Sequence, residues 1–225
     1  MKNFCRLLLL SVSLLLPSTG AFAREAIEES ILLVARKGMP DPNFRQSVLL
    51  LTSHGLQGAI GVILNRPMQT GLNQLFPSIP GLQNGQDRLY FGGPVSRNTV
   101  VFIYRAPLKA NEALHVVDDI YLSMSAEILA GLLRREAPTQ DLRVFRGYAG
   151  WAAGQLDAEI ARGDWHVLKV DPETIFSKAP DKLWREMIIR ATAIDVKARP
   201  APSALLASRS SAAWVVRKSE APSAE

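Results

Sequence analysis

The stretch Gly147-Tyr148-Ala149-Gly150-Trp151-Ala152-Ala153-Gly154-Gln155-Leu156-Asp157 sets three glycines within eight residues around a tyrosine and a tryptophan. Leu142-Arg143-Val144-Phe145 precedes it as a strand-like run, and Leu156-Asp157-Ala158-Glu159-Ile160 follows as a helix-like one. A strand-to-helix turn is therefore expected at the glycines, where a backbone without Cβ atoms lets other groups approach closely. The spacing G-x-x-G-x-x-x-G is not the dinucleotide fingerprint G-x-G-x-x-G. Two roles fit it. The helix start receives an anion through free N–H groups, or the glycines permit tight packing and Trp151 fills the gap. Glycine near element ends usually has a backbone cause, which favours the second. On that view Gly150 and Gly154 both resist a Cβ.

Upstream, Ile31-Leu32-Leu33-Val34-Ala35 is a continuous apolar run closed by Gly38, Pro40 and Pro42, as in a buried strand. Ser47 to Thr52 and Ala59 to Leu64 form an antiparallel hairpin around a Gly-bounded turn, Ser53 to Gly58. Asn65-Arg66-Pro67 ends it, because proline cannot donate to a ladder. Gly71 to Phe76 is a short helix and Pro80 to Gln86 a loop. Leu89 to Phe91, Thr99 to Tyr104 and Ile120 to Leu122 are strands, and His115 falls in a loop. Ser125 caps a helix with Ile128, Leu129, Leu132 and Leu133 on one face. Trp165 to Val170 is a strand, and Asp181 to Ala191 a helix with Leu183, Trp184, Met187, Ile188 and Ala191 on one side.

The chemistry-bearing residues exclude more than they assign. His54, His115 and His166 have no metal-ligand spacing, so no metal is expected. No G-x-S-x-G is present, which removes the usual α/β-hydrolase elbow. Ser123 and Ser125 suit a helix start. Asp118-Asp119 reads as a solvated pair, and Asp157 and Glu159 point to different helix faces. No catalytic residue and no cofactor follow. Asn65 and Arg66 offer an amide and a guanidinium at a strand end, suited to a carboxylate or phosphate. Alternatively Asn65 satisfies its own turn and Arg66 is solvated. Gly92-Gly93-Pro94 admits a ligand to the backbone or makes a tight bend.

The chain has 225 residues, 48% apolar, with a formal charge of +5. Met1 to Ala23 reads as a secretory signal peptide: Lys2 and Arg6, the uncharged run Leu7 to Leu16, then Ala21-Phe22-Ala23 as a small-x-small cleavage site. The run is too short for a membrane span, which needs about 20 residues. Cleavage leaves 225 − 23 = 202 residues and a charge of +3. The one cysteine, Cys5, leaves with the signal, so the processed protein makes no disulfide, thiolate nucleophile or zinc–thiolate site. From Ala193 to Glu225 prolines lie among alanines and serines, the composition of a disordered tail in which Ala212 to Val216 carries Trp214. The expected organisation is residues 1–23 signal peptide, 24–192 a single domain, and 193–225 tail.

Four motifs in order resemble the YqgE/AlgH family of bacterial proteins: Gly38-Met39-x-Asp41-Pro42-x-Phe44-x-x-Ser47-Val48, Gly58-Ala59-x-Gly61-Val62-x-x-Asn65-Arg66-Pro67, Gly92-Gly93-Pro94-Val95, and Gly147-Tyr148-Ala149-Gly150-Trp151-x-x-Gly154-Gln155-Leu156. The resemblance runs from about Ile31 to Arg190. It departs at Ala152, where glycine is common, and at Asp157, where glutamate is common. It implies an α+β fold, a mixed and partly barrel-like sheet surrounded by helices. It implies no established activity, although family members carry the label of transcriptional regulator. No helix-turn-helix or zinc-finger pattern supports nucleic-acid binding here.

The function expected is an exported, non-catalytic binding or regulatory domain, periplasmic or secreted, with a small molecule or a protein as partner. Its cleft is expected from Asn65, Arg66, Gly92, Gly93, Tyr148, Gly150 and Trp151. The alternatives are a cytoplasmic protein like most of the family, a transcriptional regulator, and an enzyme of hydrolase or transferase type. Export has a direct check. N-terminal sequencing of native protein is expected to begin at Arg24, and a protein retaining Met1 in the cytosol overturns the signal peptide.

Overall fold

Leu142–Trp151 forms one strand, β9, that runs straight through the glycine-rich stretch. The expected turn at Gly147 is thus corrected: the strand continues to Trp151, and only residues 152–154 turn into the next helix. A computed structural model of the chain describes residues 30–53, 58–82, 87–176 and 179–198. The signal peptide, the hairpin turn at 54–57 with His54, the loop residues 83–86 and the tail from 199 lie outside the described residues.

The other strands and α-helices are β1 (Ile31–Ala35), β2 (Val48–Ser53), β3 (Ala59–Ile63), β4 (Pro67–Gly71), α1 (Leu72–Leu75), β5 (Arg88–Phe91), β6 (Val95–Arg105), β7 (Ala113–Val117), β8 (Ile120–Ser123), α2 (Ala126–Leu133), α3 (Gln155–Ala161), β10 (Trp165–Lys169), α4 (Pro172–Ile175) and α5 (Pro180–Ala198), and a 3-10 turn, Pro80–Leu82, opens the stretch expected as a loop. The sheet order is β10-β1-β2-β3-β9-β6-β8-β7, with β4 and β5 off that path. β9 is the strand that joins its two halves. Along one edge it pairs antiparallel with β6. Along the other it pairs antiparallel with β3 near Trp151 and parallel with β5 near Phe145. The sheet is mixed through this β5–β9 pair and curls into a half-barrel, in agreement with the single-domain α+β architecture that the family resemblance implies.

A bulge opposite Gly147 decides which way β9's side chains point. Val95 pairs with Tyr148 and Val100 with Arg146, so β6 spends five residues where β9 spends two. Gly147 has φ 68 and Ser96 φ 44, both in the left-handed region. In an unbroken strand Phe145 and Ala149, four apart, would share a face. Instead Phe145 packs in the barrel interior and Ala149 on the outer face. Tyr148 is thereby turned inward and Trp151 outward.

The interior holds Leu32, Val34, Val48, Leu50, Val62, Val101, Ile103, Leu122 and Phe145. One outer layer, under α1 and α2, holds Phe102, Tyr104, Leu129, Leu132 and Val144. The other, under α3 and the loop at Met39, holds Leu33, Ala35, Leu49, Leu51, Trp151, Leu156 and Trp165. β1 and β2 are covered on both faces, which is why they read as unbroken apolar runs. α5 lines the open side of the barrel with Leu183, Met187, Ile188 and Ala191, at the i, i+4 spacing of one helix face. Leu183, Met187 and Ile188 each contribute roughly 1.5–3 kcal/mol when fully buried, and the Ala191 methyl less.

Several local expectations change. His115 lies on β7, not in a loop, and its Nε2 is 2.9 Å from the Asp118 carbonyl oxygen. Asp119 is ion-paired with Arg105 rather than simply solvated, and Asp118 is the left-handed residue of the β7–β8 turn. Pro67 starts a strand, the position at which a missing N–H costs no ladder bond. Ser125 occupies the N-cap of α2 without a side-chain cap; its N–H donates to Ser123 Oγ at 3.1 Å. α5 extends past Ala193 to Ala198.

Two contacts orient α5 along the barrel. Trp184 Nε1 donates to the Ala35 carbonyl at 2.8 Å, and Arg190 Nη1 donates to Asp171 Oδ2 at 2.7 Å. Asp171 also caps α4, accepting from the Thr174 N–H at 2.9 Å. Burial pushes the Asp171 carboxyl up, but hydrogen bonds from Arg190 and Thr174 outweigh it, and the net value lies below the ordinary one. A depressed folded-state pKa contributes stability that is present above the unfolded value and lost as pH falls through the folded one. Asp171→Ala is therefore expected to cost about 0.5–2 kcal/mol at pH 7, as other lost N-caps do. In urea melts the gap from wild type should close below about pH 3.9, the unfolded-state value of an aspartate.

Candidate functional site

The seven residues expected to share a cleft separate into three places. Asn65 and Arg66 sit just past the end of β3, opposite the end that carries Ala59. Asn65 is a clamp: its Oδ1 accepts from the Val48 N–H at 2.8 Å and its Nδ2 donates to the Gln46 carbonyl at 2.9 Å. Gln46 has φ 54, and this side chain holds the bend. Asn65 thus serves a neighbouring loop and not its own turn. Arg66 Nη2 donates to the carbonyls of Arg45 at 2.9 Å and Pro42 at 3.4 Å, so it is engaged rather than free in solvent. Burial lowers its pKa, with Asp41 acting in the opposite direction.

Gly92 and Gly93 cross directly against β9. The Gly92 N–H donates to the Arg146 carbonyl and its own carbonyl accepts from the Ile63 N–H, each at 2.9 Å. A Cβ on Gly92 would overlap the Gly147 carbonyl, and one on Gly93 would overlap the Tyr148 main chain. These glycines let β5 wedge between β3 and β9.

Tyr148, Gly150 and Trp151 border the same cleft, a cavity of about 710 Å³ at the mouth of the half-barrel. Beside them lie their ladder partners Ala59 and Ile60 of β3 and Val95 of β6, and the lining is completed by Leu114 of β7 and by Leu122 and Met124 around β8. Met124 and Val95 are exposed for apolar side chains, at 40% and 36%. The polar lining comes from Asn111, Glu112, Ser123 and Tyr148; Ser123 Oγ already donates to the Glu112 carbonyl at 2.7 Å. A second depression, about 1210 Å³, lies at the other mouth beside Tyr90, Asp141, Arg143, Phe176 and Asp181. There the buried Arg143 guanidinium lies 4.6 Å from the Tyr90 ring centroid, its pKa lowered by burial, with Tyr90 opposing the shift.

The Trp151 indole points away from the cleft into the outer layer, where Phe44 and Trp165 surround it with ring centroids 5.6–6.2 Å apart. Its Nε1 and the Trp165 Nε1 both donate to Glu159 Oε2 at 2.9 Å. Gln155 Nε2 donates to Glu159 Oε1 at 3.0 Å, and the Ala152 N–H donates to Gln155 Oε1 at 3.2 Å. One carboxylate on α3 thus ties β9, β10 and the intervening turn together.

Residues 32–196 match the AlgH-like family model DUF179. The chain belongs to that family. A UPF0301 protein of Methylococcus capsulatus is 37% identical over 163 residues, covering 71% of this chain and 88% of its own. One from Thiobacillus denitrificans is 36% identical over 154 residues, covering 67% and 82%. The solution structure of the AlgH protein from Pseudomonas aeruginosa superposes with a TM-score of 0.60 at 28% identity, covering 80% of this chain and 97% of that one. Protein DIP2367 from Corynebacterium diphtheriae, at 22% identity and TM-score 0.58, shares the fold.

In this AlgH-like domain Glu159 is the residue that sequence reasoning missed. Its link to the two tryptophans comes from tertiary packing, and the only sequence sign is an acid on the helix between them. Replacing it by leucine leaves two largely buried indole N–H groups without their acceptor, expected to cost about 1–3 kcal/mol for each. Glu159→Gln keeps an oxygen there and should cost less. Trp151→Ala is expected to cost about 3–5 kcal/mol. The glycine expectation divides. Gly154 caps α3 at φ 78, so Gly154→Ala is expected to cost about 1–2 kcal/mol. Gly150 has room: a Cβ there would meet nothing closer than the Tyr148 ring at 3.5 Å, so Gly150→Ala is expected to be near neutral. Urea melts check all five, and a Trp151→Ala protein as stable as wild type would overturn the packing role.

Proposed function

We propose that this AlgH-like protein is an exported, non-catalytic binding module that holds an apolar group in the cleft beside Tyr148. The observation that carries this is the cleft itself: about 710 Å³ at a barrel mouth, walled by Ile60, Val95, Leu114, Leu122 and Met124, with few polar groups. Ligand sites are typically concave, mostly apolar and of about 300–1,000 Å³. The Tyr148 hydroxyl and the Glu112 and Asn111 side chains supply orientation at its edge. Among the described residues, the cleft's polar lining includes no histidine or lysine to act as a base beside Ser123. That favours binding over hydrolase or transferase chemistry. The pattern from Met1 to Ala23 supports work outside the cytoplasm, and it disfavours direct transcriptional control.

Indole serves as a defined apolar probe. Titrated into the ¹⁵N-labelled chain from Arg24 to Glu225, it is expected to give saturable amide shifts at Ala59, Leu114, Met124 and Gly150. Gly150→Leu, which projects a side chain into open space on the cleft side of β9, should abolish the shifts at the other three while leaving the melting temperature near that of wild type. Shifts scattered over the surface, or unchanged in Gly150→Leu, would refute the cleft as a binding site.

A further inference from the structure

We propose that the cleft is occupied in the resting protein by Trp214-Val215-Val216 of the same chain, and that an outside ligand enters by displacing them. This rests on the cleft being a binding site.

Chain direction makes the contact reachable. Near its start α5 is held to Ala35 by Trp184, and further along it is held to Asp171 by Arg190. Ala35 and Ile31 are the two ends of β1, and Ile31 pairs with Lys169, two residues before Asp171. α5 therefore runs from the Ala35 end of the barrel to the Ile31 end. Ile31 also pairs with Leu51, and the next two residues of β2 pair with Ile60 and Ala59, which line the cleft. The chain leaves α5 at the cleft's own end of the barrel. From Ala198 to Trp214 is 16 residues, a reach of up to about 53 Å at roughly 3.3 Å per residue. The family match spans 196 − 32 + 1 = 165 residues, and a domain of that size has a radius of gyration of about 15 Å. The reach spans the domain.

Chemistry selects the segment. Trp214 is the one aromatic residue among positions 199–225, and two valines follow it. The cleft offers the aliphatic walls such side chains need, with a tyrosine ring on one side. Arg217 and Lys218 come next in the chain, and Glu112 stands at the cleft to meet them. The tether supplies an effective concentration in the millimolar range, enough for a weak contact to fill the site. The segment also lies beyond the family match, which ends at residue 196. Occupancy is thus an addition to the shared domain.

The test uses the chain from Arg24 to Glu225 labelled with 5-fluorotryptophan. Its four tryptophans give four ¹⁹F resonances, and Trp214→Phe assigns one of them. Docking predicts a small H₂O/D₂O isotope shift for Trp214 in wild type, independent of protein concentration, and a full solvent-exposed shift in Gly150→Leu. Full exposure in wild type overturns the proposal. So does protection that survives Gly150→Leu, which places Trp214 elsewhere, or protection lost on dilution, which makes the occupant a second copy. Indole binding separates this from failure of the cleft. Trp214→Ser should bind indole at least about tenfold more tightly than wild type. Equal binding by the two overturns tail docking and leaves the cleft standing, whereas no binding by Trp214→Ser overturns both.

Discussion

The bulge opposite Gly147 sets the phase of β9, and with it the faces of both halves of the sheet. β9 belongs to both halves of the sheet, and its side chains must point inward on each side of the junction. Before the bulge, Phe145 faces the barrel interior; after it, Tyr148 does. Only a residue able to hold φ 68 allows the strand to change phase there, and glycine does so without a Cβ penalty. The same change of phase delivers Trp151 to the outer layer. The interior tyrosine and the exterior tryptophan are two consequences of one backbone event.

Around that junction the chain uses side chains to hold backbone that has no ladder of its own. Asn65 closes the bend at Gln46, Arg66 caps the carbonyls of Pro42 and Arg45, and Glu159 joins two tryptophans from different strands. Asn65 and Glu159 give acceptors to the N–H of buried Val48 and to two buried indoles, groups whose loss of a partner costs about as much as a hydrogen bond, whereas the Arg66 bonds lie at the surface. Polar motif residues that resemble a binding site in the sequence thus include some whose visible partners are the chain's own backbone. The cleft lies elsewhere, where the curled sheet leaves its interior open between β3, β9 and the β7–β8 hairpin.

Much of the candidate site was legible only in part, for a geometric reason. Tyr148, Gly150 and Trp151 stand together in the chain, so they stay together in the fold. Leu114, Leu122 and Met124 carry no motif; they reach the cleft because β6 pairs with β9 on one side and with β8 on the other, and the curl of the sheet brings the β7–β8 hairpin to the same mouth. Asn65 and Gly92 lie in motifs of similar density yet fall outside it, since sequence spacing carries no information about which end of a strand a residue occupies in three dimensions.

Most of the strands, the β2–β3 hairpin, the apolar face of α5 and the family are legible from the residues alone, because hydrophobic periodicity and turn chemistry are local properties. The glycine-rich stretch also marked a constrained backbone, at Gly150 and Gly154, whereas the position where the structure most needs glycine is the bulge at Gly147. Tertiary structure decided the inward turn of Tyr148, the placing of His115 on an edge strand, the pairing of Asp119 with Arg105 and the sharing of Glu159 by two indoles. Each of these depends on register between segments distant in the chain. A shift of one residue in register reverses every face, and the energy that selects one register comes from the packed whole rather than from any segment alone.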